Sequence, residues 1–351
     1  MKKPLVILAA LAASGAAMAQ SSVTVFGIVD TSLAKVQGDG KGSRIGLATG
    51  SNATSRLGFR GTEDLGGGLA AGFWLEGALQ ADEGTPAGLL FQRRSTVSLS
   101  GNFGELRLGR DFTSSYRNNA AFDVWGNRGI GTGATYDNLG YSTVRASNGI
   151  TYFLPPTLGG VYGEAEYSFG EKQSNTANDK QSNYLGGRIG YAAGPLNVAT
   201  SYGKFKQVIG ASDTAPVTIG KDLTHFNLAG WWDFGVVKPM VIYSQEKVKN
   251  GVKGAAQMNA IEISASAPIG AGELRGSVER NKFNDSANGF NKFALGYGYN
   301  LSKRTQLYGT VARIDNKGVF TKALSAEGLA TTGVNPGGRS SGFEVGIRHI
   351  F

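Results

Sequence analysis

The chain ends on "SGFEVGIRHIF", residues 341–351. Read alternately, Phe343, Val345, Ile347, His349 and Phe351 fall on one side, and Glu344, Gly346, Arg348 and Ile350 on the other. Successive strand residues point to opposite faces, so this reads as a strand whose apolar face continues to the final residue. Chain ends ordinarily fray. An apolar strand at a chain end has to be paired, either covering a sheet edge or sealing one.

The same period of two runs through the rest of the chain. "VTVFGIVDTSL" sets Val23, Val25, Val29 and Leu33 against Thr24, Asp30 and Ser32. Leu57 and Phe59 alternate with Arg56 and Arg60, Val97 and Leu99 with Thr96 and Ser98, and Ile261 and Ile263 with Glu262 and Ser264. No i, i+3, i+4 stripe of helical length competes. Short connections such as "DLGGG" (64–68), "NFG" (102–104) and "LSKR" (301–304) alternate with long polar ones at about 36–52, 82–90, 112–147, 170–182, 207–221, 247–256, 284–289 and 315–340. The pattern predicts about sixteen strands, each with room for the ~9–11 residues of a tilted membrane strand.

Composition narrows the class. The 351 residues include 54 Gly and 9 Pro, with no collagen-like period, and only 17% are charged. The absence of Cys removes disulfides and thiolate metal sites, and two histidines, His225 and His349, cannot build a histidine cage. No cofactor or metal site is expected. Mean hydropathy is −0.15, which by itself says nothing for a membrane. The start, "MKKPLVILAALAASGAAMAQ", joins Lys2 and Lys3 to an apolar run and a small-x-small end at Ala17–Ala19. It reads as a secretory signal peptide, residues 1–19, with cleavage before Gln20 and a single domain over 20–351. No other stretch approaches a membrane helix.

Alternation fits two architectures. A soluble sandwich keeps its apolar face inside, whereas a transmembrane antiparallel β-barrel turns it to lipid. The face opposite the apolar one carries Arg56, Arg60, Arg94, Arg107, Glu164, Glu166, Arg188, Glu262, Arg275, Glu279 and Arg348. The apolar face ends in aromatics, Tyr167, Phe169, Tyr191, Tyr297, Tyr299 and Phe351, which suit interfacial girdles. These favour an all-β barrel. In lipid, unpaired backbone groups are costly, so the last strand has to pair with the first.

The stretches "SSVTVFGIVDTSL", "SRLGFRGTEDLGGGLAAGFWLE", "RRSTVSLSGNFGELRLGRDF", "YNLSKRTQLYGTVA" and "VGIRHIF" together resemble the general outer-membrane porins of Gram-negative bacteria, of the beta-proteobacterial and neisserial type. The resemblance spans the mature chain. It implies a sixteen-stranded barrel in the outer membrane, a homotrimer, and a third extracellular loop folded inward. It also implies passive diffusion of ions and small hydrophilic solutes, with anion selectivity. Implied partners are outer-membrane lipid and lipopolysaccharide, and the barrel assembly machinery through Phe351. By resemblance, Arg56, Arg94 and Arg110 form the basic wall of the constriction; the long segment 112–147 itself adds Arg145 to the basic side and offers Asp123 and Asp137 as the facing acidic side. The sequence departs from close relatives at Thr151, where they carry a basic residue.

Separately from the resemblance, a barrel of this size leaves an aqueous lumen, and a structureless loop as long as 112–147 is usually functional. Other functions find little. A hydrolase would need a positioned Ser–His pair, and no G-x-S-x-G elbow exists. "GIGTGATYD" (129–137) lacks the phosphate-loop spacing and its following helix. The basic balance, +9 overall, comes with no nucleic-acid module, and none is expected as a partner. A substrate-specific channel for a sugar or organic anion is the alternative kept open. The inward aromatics Phe26, Trp74 and Trp231 are few for a sugar slide.

Overall fold

The computed structural model describes residues 22–84, 90–136, 138–141, 143–176, 179–208, 221–249, 255–284 and 286–351. The signal peptide read at residues 1–19 lies outside them. The strands are β1 (Ser22–Gly38), β2 (Gly42–Thr49), β3 (Arg56–Gly66), β4 (Leu69–Ala78), β5 (Arg94–Gly101) and β6 (Gly104–Phe112). A helix, α1 (Ser114–Phe122), follows. Then come β7 (Arg145–Phe153), β8 (Val161–Ser168), β9 (Tyr184–Ala193), β10 (Leu196–Val208), β11 (Lys221–Trp232) and β12 (Lys238–Lys249). The last five are β13 (Ala255–Ile269), β14 (Gly272–Phe283), β15 (Gly289–Asn300), β16 (Thr305–Lys317) and β17 (Arg339–Ile350).

Neighbours in sequence pair antiparallel, and β17 returns to β1 with Val29 opposite His349 and Lys35 opposite Phe343. The sheet therefore closes. β1 is long enough to pair twice on its other side: Leu33 faces Leu47 of β2, and Val25 faces Phe59 of β3. β2 and β3 are thus two halves of one barrel strand, and the barrel has sixteen.

One expectation is corrected here. Residues 36–52 are not a long connection: β1 continues to Gly38, a turn occupies 39–41, and β2 resumes the alternation with Ile45 and Leu47 outward. The break comes later, at 50–55, inside a barrel strand. Asp30 holds that excursion. Its carboxylate accepts the N–H groups of Asn52 (3.0 Å) and Ala53 (2.7 Å), and its carbonyl accepts the Ser55 hydroxyl (3.0 Å). The Gly-rich sequence of this region hides a short alternating strand.

The burial pattern is that of a soluble protein turned inside out. Val23, Val25 and Val97 are 65%, 55% and 55% exposed, while Asp30 and Glu262 are 0% exposed. A continuous exposed apolar face over a polar interior is stable against lipid and not against water. Tyr167 and Phe169 ring this face at the long-loop end, and Tyr297, Tyr299 and Phe351 at the short-turn end; all are exposed. Among the described residues no helix is long and apolar enough to cross a membrane.

Candidate functional site

The segment joining β6 to β7, residues 113–144, begins with α1. Thr113 caps the helix by accepting the Tyr116 N–H (3.4 Å). Asp123 ends it, and its carboxylate accepts N–H groups from Trp125 (2.9 Å), Asn127 (2.8 Å) and Gly133 (3.1 Å), folding the chain back on itself. Burial raises the Asp123 pKa above the ordinary carboxylate value, against these three N–H groups, which lower it.

Beyond the helix the segment crosses the polar face of the later strands. The Trp125 indole donates to Ser277 of β14 (2.9 Å), and the Ile130 N–H to Glu344 of β17 (3.2 Å). The Ala134 N–H donates to Glu279 of β14 (2.8 Å), and those of Asn138 and Leu139 to Glu246 of β12 (3.1 and 3.0 Å). Ser244 donates to the Thr135 carbonyl (2.6 Å), and the Lys292 ammonium to that of Thr132. Three wall carboxylates are thereby spent on main-chain donors that would otherwise be unsatisfied.

The early strands present the opposite chemistry. Arg93 and Arg56 reach Glu76 of β4 at 2.6 and 3.8 Å. Asp111 of β6 receives three guanidinium groups: Arg107 at 2.7 Å, Arg117 at 3.4 Å and Arg94 at 3.6 Å. Arg117, on α1, also holds Glu164 of β8 at 3.0 Å. Burial works against the Arg117 charge, but Glu164 and then Asp111 outweigh it and raise the pKa above the ordinary value. Cationic groups outnumber the carboxylates they share, so this wall is net positive.

The sequence-derived residues divide accordingly. Arg56 and Arg94 stand on this wall. Arg145, at the start of β7, donates to the Arg93 carbonyl (2.8 Å) and lies over the Phe112 ring at 4.3 Å. Arg110 donates to the Gln92 carbonyl (2.6 Å) and Ser147 (2.7 Å) and makes none of the Asp111 contacts. Its neighbour Asp111 points to the other face. Asp123 is 5% exposed and turned into its own loop. Asp137 lies outside the described residues. Sequence reasoning passed over Arg93, Asp111 and Glu76. Alternation counted from Arg107 reaches Asp111 on the same face, so that signal was available. Arg93 precedes β5 and is exempt from its alternation.

A closed barrel with a lipid-compatible outside and a charged inside defines a channel protein. The chain belongs to the Gram-negative porin family, whose family model matches residues 6–319. It is 44% identical to outer membrane porin protein 32 of Delftia acidovorans over the full length of both chains, and 28% identical to the major outer membrane protein P.IB of Neisseria gonorrhoeae, covering 87% of this chain and 91% of that one. Among solved structures, the anion-selective porin from Comamonas acidovorans superimposes with a TM-score of 0.87 at 40% identity, covering 95% of this chain and 100% of the other.

Proposed function

We propose that the protein is a passive outer-membrane channel for ions and small hydrophilic solutes that prefers anions, with 113–144 acting as the inward-folded third extracellular loop that sets its narrowest section. The observation that carries this is the division of charge across the lumen. Carboxylates of the later strands are occupied by the backbone of 113–144, while on the side of the early strands Arg94, Arg107 and, from α1, Arg117 converge on Asp111. Fixed positive charge in a narrow passage with low-dielectric walls concentrates anions. Charged rings of this kind tune selectivity without any chemical step.

The wider reading follows the family. The chain is exported on residues 1–19, cleaved before Gln20, and assembled as a homotrimer through recognition of Phe351 by the barrel assembly machinery. It meets lipid and lipopolysaccharide on its apolar face. The trimeric form of OmpT of Vibrio cholerae shares the fold, with a TM-score of 0.70 at 18% identity. The protein acts without catalysis. In support, the one inward histidine, His225, is packed against Tyr136 at 4.3 Å and hydrogen-bonded to Thr143 at 2.9 Å.

Single-channel recording in a bilayer under a salt gradient tests the reading. Conductance steps in groups of three and a reversal potential of anionic sign are expected. Replacing Arg56 and Arg94 together by Gln moves that potential toward cations. A potential unmoved by the double replacement removes these arginines from the filter, and a wild-type potential of cationic sign overturns the selectivity.

A further inference from the structure

The wall arginines so far described each share a carboxylate or a carbonyl. Arg60 does not. It lies on β3, four residues nearer the short-turn end than Arg56, a separation of about 13 Å along the strand. Its guanidinium sits 5.3 Å from the Phe26 ring centroid and 5.2 Å from that of Trp74. Among the described residues no carboxylate pairs with it. The side chain is exposed to the lumen, on the inward face that Thr24 and Trp74 share with it in register.

The two rings are themselves fixed. Phe26 and Trp74 meet at 4.8 Å with their planes 60° apart. Phe26 lies over Gly58, where any Cβ would come within 2.4 Å of the ring, so the glycine is the seat of the ring. The Trp74 indole donates to Glu76 at 3.2 Å, and Arg94 stacks on the same tryptophan at 4.4 Å. Trp74 thus stands between two guanidinium groups at different depths, Arg94 above, with Asp111 as partner, and Arg60 below, with none. Cation–π contacts hold a guanidinium in place without neutralising it.

We propose that Arg60, seated between Phe26 and Trp74, is a second anion-holding position on the short-turn side of the constriction, and that it selects small organic carboxylates over hydrated inorganic anions. The guanidinium fork matches a carboxylate with two parallel hydrogen bonds, a geometry a spherical anion cannot use. The flanking rings offer an apolar surface to the rest of the solute. An anion leaving Arg94 meets Arg60 next, so the pair forms two successive stations, and passage remains fast because neither holds the solute alone. Trp74 is a positioning residue that sets the spacing of both. The inference rests on the channel reading above and adds the class of solute.

The test is single-channel recording with chloride and acetate as the probes. In wild type, acetate permeates better relative to chloride than free mobility gives. Arg60→Gln lowers low-salt anion conductance by about two- to fivefold and abolishes that acetate preference. Its conductance converges with wild type at high salt, where the screening length falls to about 3 Å. Arg60→Lys keeps the charge and loses the fork, so conductance is retained and the acetate preference is lost. Trp74→Phe keeps the preference and Trp74→Leu loses it. The heat-modifiable migration of the folded barrel, together with unchanged high-salt step size, shows which variants assemble. An Arg60→Gln channel with wild-type low-salt conductance overturns the anion station, and an Arg60→Lys channel with wild-type acetate preference overturns the carboxylate selection. Should Arg60→Gln fail to assemble, the Arg60→Lys result alone decides the selection. Wild-type protein that forms no channels would instead overturn the channel reading itself.

Discussion

Gly27 and Phe351 exchange both backbone hydrogen bonds: the Gly27 N–H reaches the Phe351 carbonyl at 3.0 Å, and the Phe351 N–H reaches the Gly27 carbonyl at 3.1 Å. The last residue of the chain therefore completes the ladder that closes the barrel. Its ring lies over Gly27, where a Cβ would fall 2.3 Å from the ring and 2.7 Å from the Arg56 carbonyl. Gly27→Val pushes the ring off and crowds the backbone, a change of the overpacking kind that costs about 1–3 kcal/mol. Unfolding in detergent, followed by the loss of the compact gel band, is expected at lower temperature or urea. Wild-type resistance in the variant would show that the Phe351 seat contributes nothing to closure.

Loop anchoring is tested at Trp125. Trp125→Phe keeps most of the ring and removes the donor to Ser277, a net loss of about 1 kcal/mol. The barrel stays folded, since the bond belongs to 113–144 and not to the sheet ladder. Open-channel noise rises, because the segment has lost one attachment to β14. Quiet wild-type current from Trp125→Phe would mean that this attachment does not hold the segment.

Asp111 sets the strength of the positive wall. Asp111→Asn removes the charge shared by Arg94, Arg107 and Arg117 while leaving an oxygen that accepts hydrogen bonds. The reversal potential in a salt gradient moves further in the anionic direction, opposite to the effect of replacing Arg94. The shift shrinks at high salt through screening. A move toward cations would show that Asp111 orders the arginines more than it neutralises them.

Selectivity is flat in pH. Guanidinium groups stay protonated throughout the working range. Arg117 has its pKa raised above the ordinary guanidinium value by Glu164 and Asp111, against burial. A base with a raised folded pKa contributes its stabilisation fully below the unfolded value and loses it only as pH climbs through the folded one. Between about pH 5 and pH 9 its contribution to holding α1 is constant. Reversal potentials measured across that range should coincide; a titration near neutrality would assign the filter to another group.

The barrel was legible because lipid imposes a simple rule: outward residues are mostly apolar, and they alternate with inward polar ones along each strand. Val23, Leu57, Val97 and Phe293 could be assigned a face from sequence alone. Legibility failed where alternation is suspended. The 50–55 excursion depends on Asp30 accepting two N–H groups, a long-range relationship no local pattern carries. Arg56 and Arg94 lie on regular strands, where alternation gives their face. Arg93 lies just outside a strand, where no alternation fixes its face, whereas Asp111 keeps the face of Arg107 even though β6 and β7 shift register beside it. The burial of Asp123 and the three N–H groups it accepts are not legible locally, because an exposed loop carboxylate and a buried turn-forming one look alike in sequence.

The central claim is the orientation of the sheet, apolar side to lipid and polar side to a water-filled lumen, and two adjacent residues test it most directly. The chain has no cysteine, so single substitutions report cleanly. Val97 and Ser98 are neighbours on β5 with Val97 outward, 55% exposed. In a bilayer, a charged water-soluble thiol reagent should change the current of Ser98→Cys and leave Val97→Cys untouched, with Val97→Cys reacting only with a lipid-soluble maleimide. The reverse pattern would contradict the account.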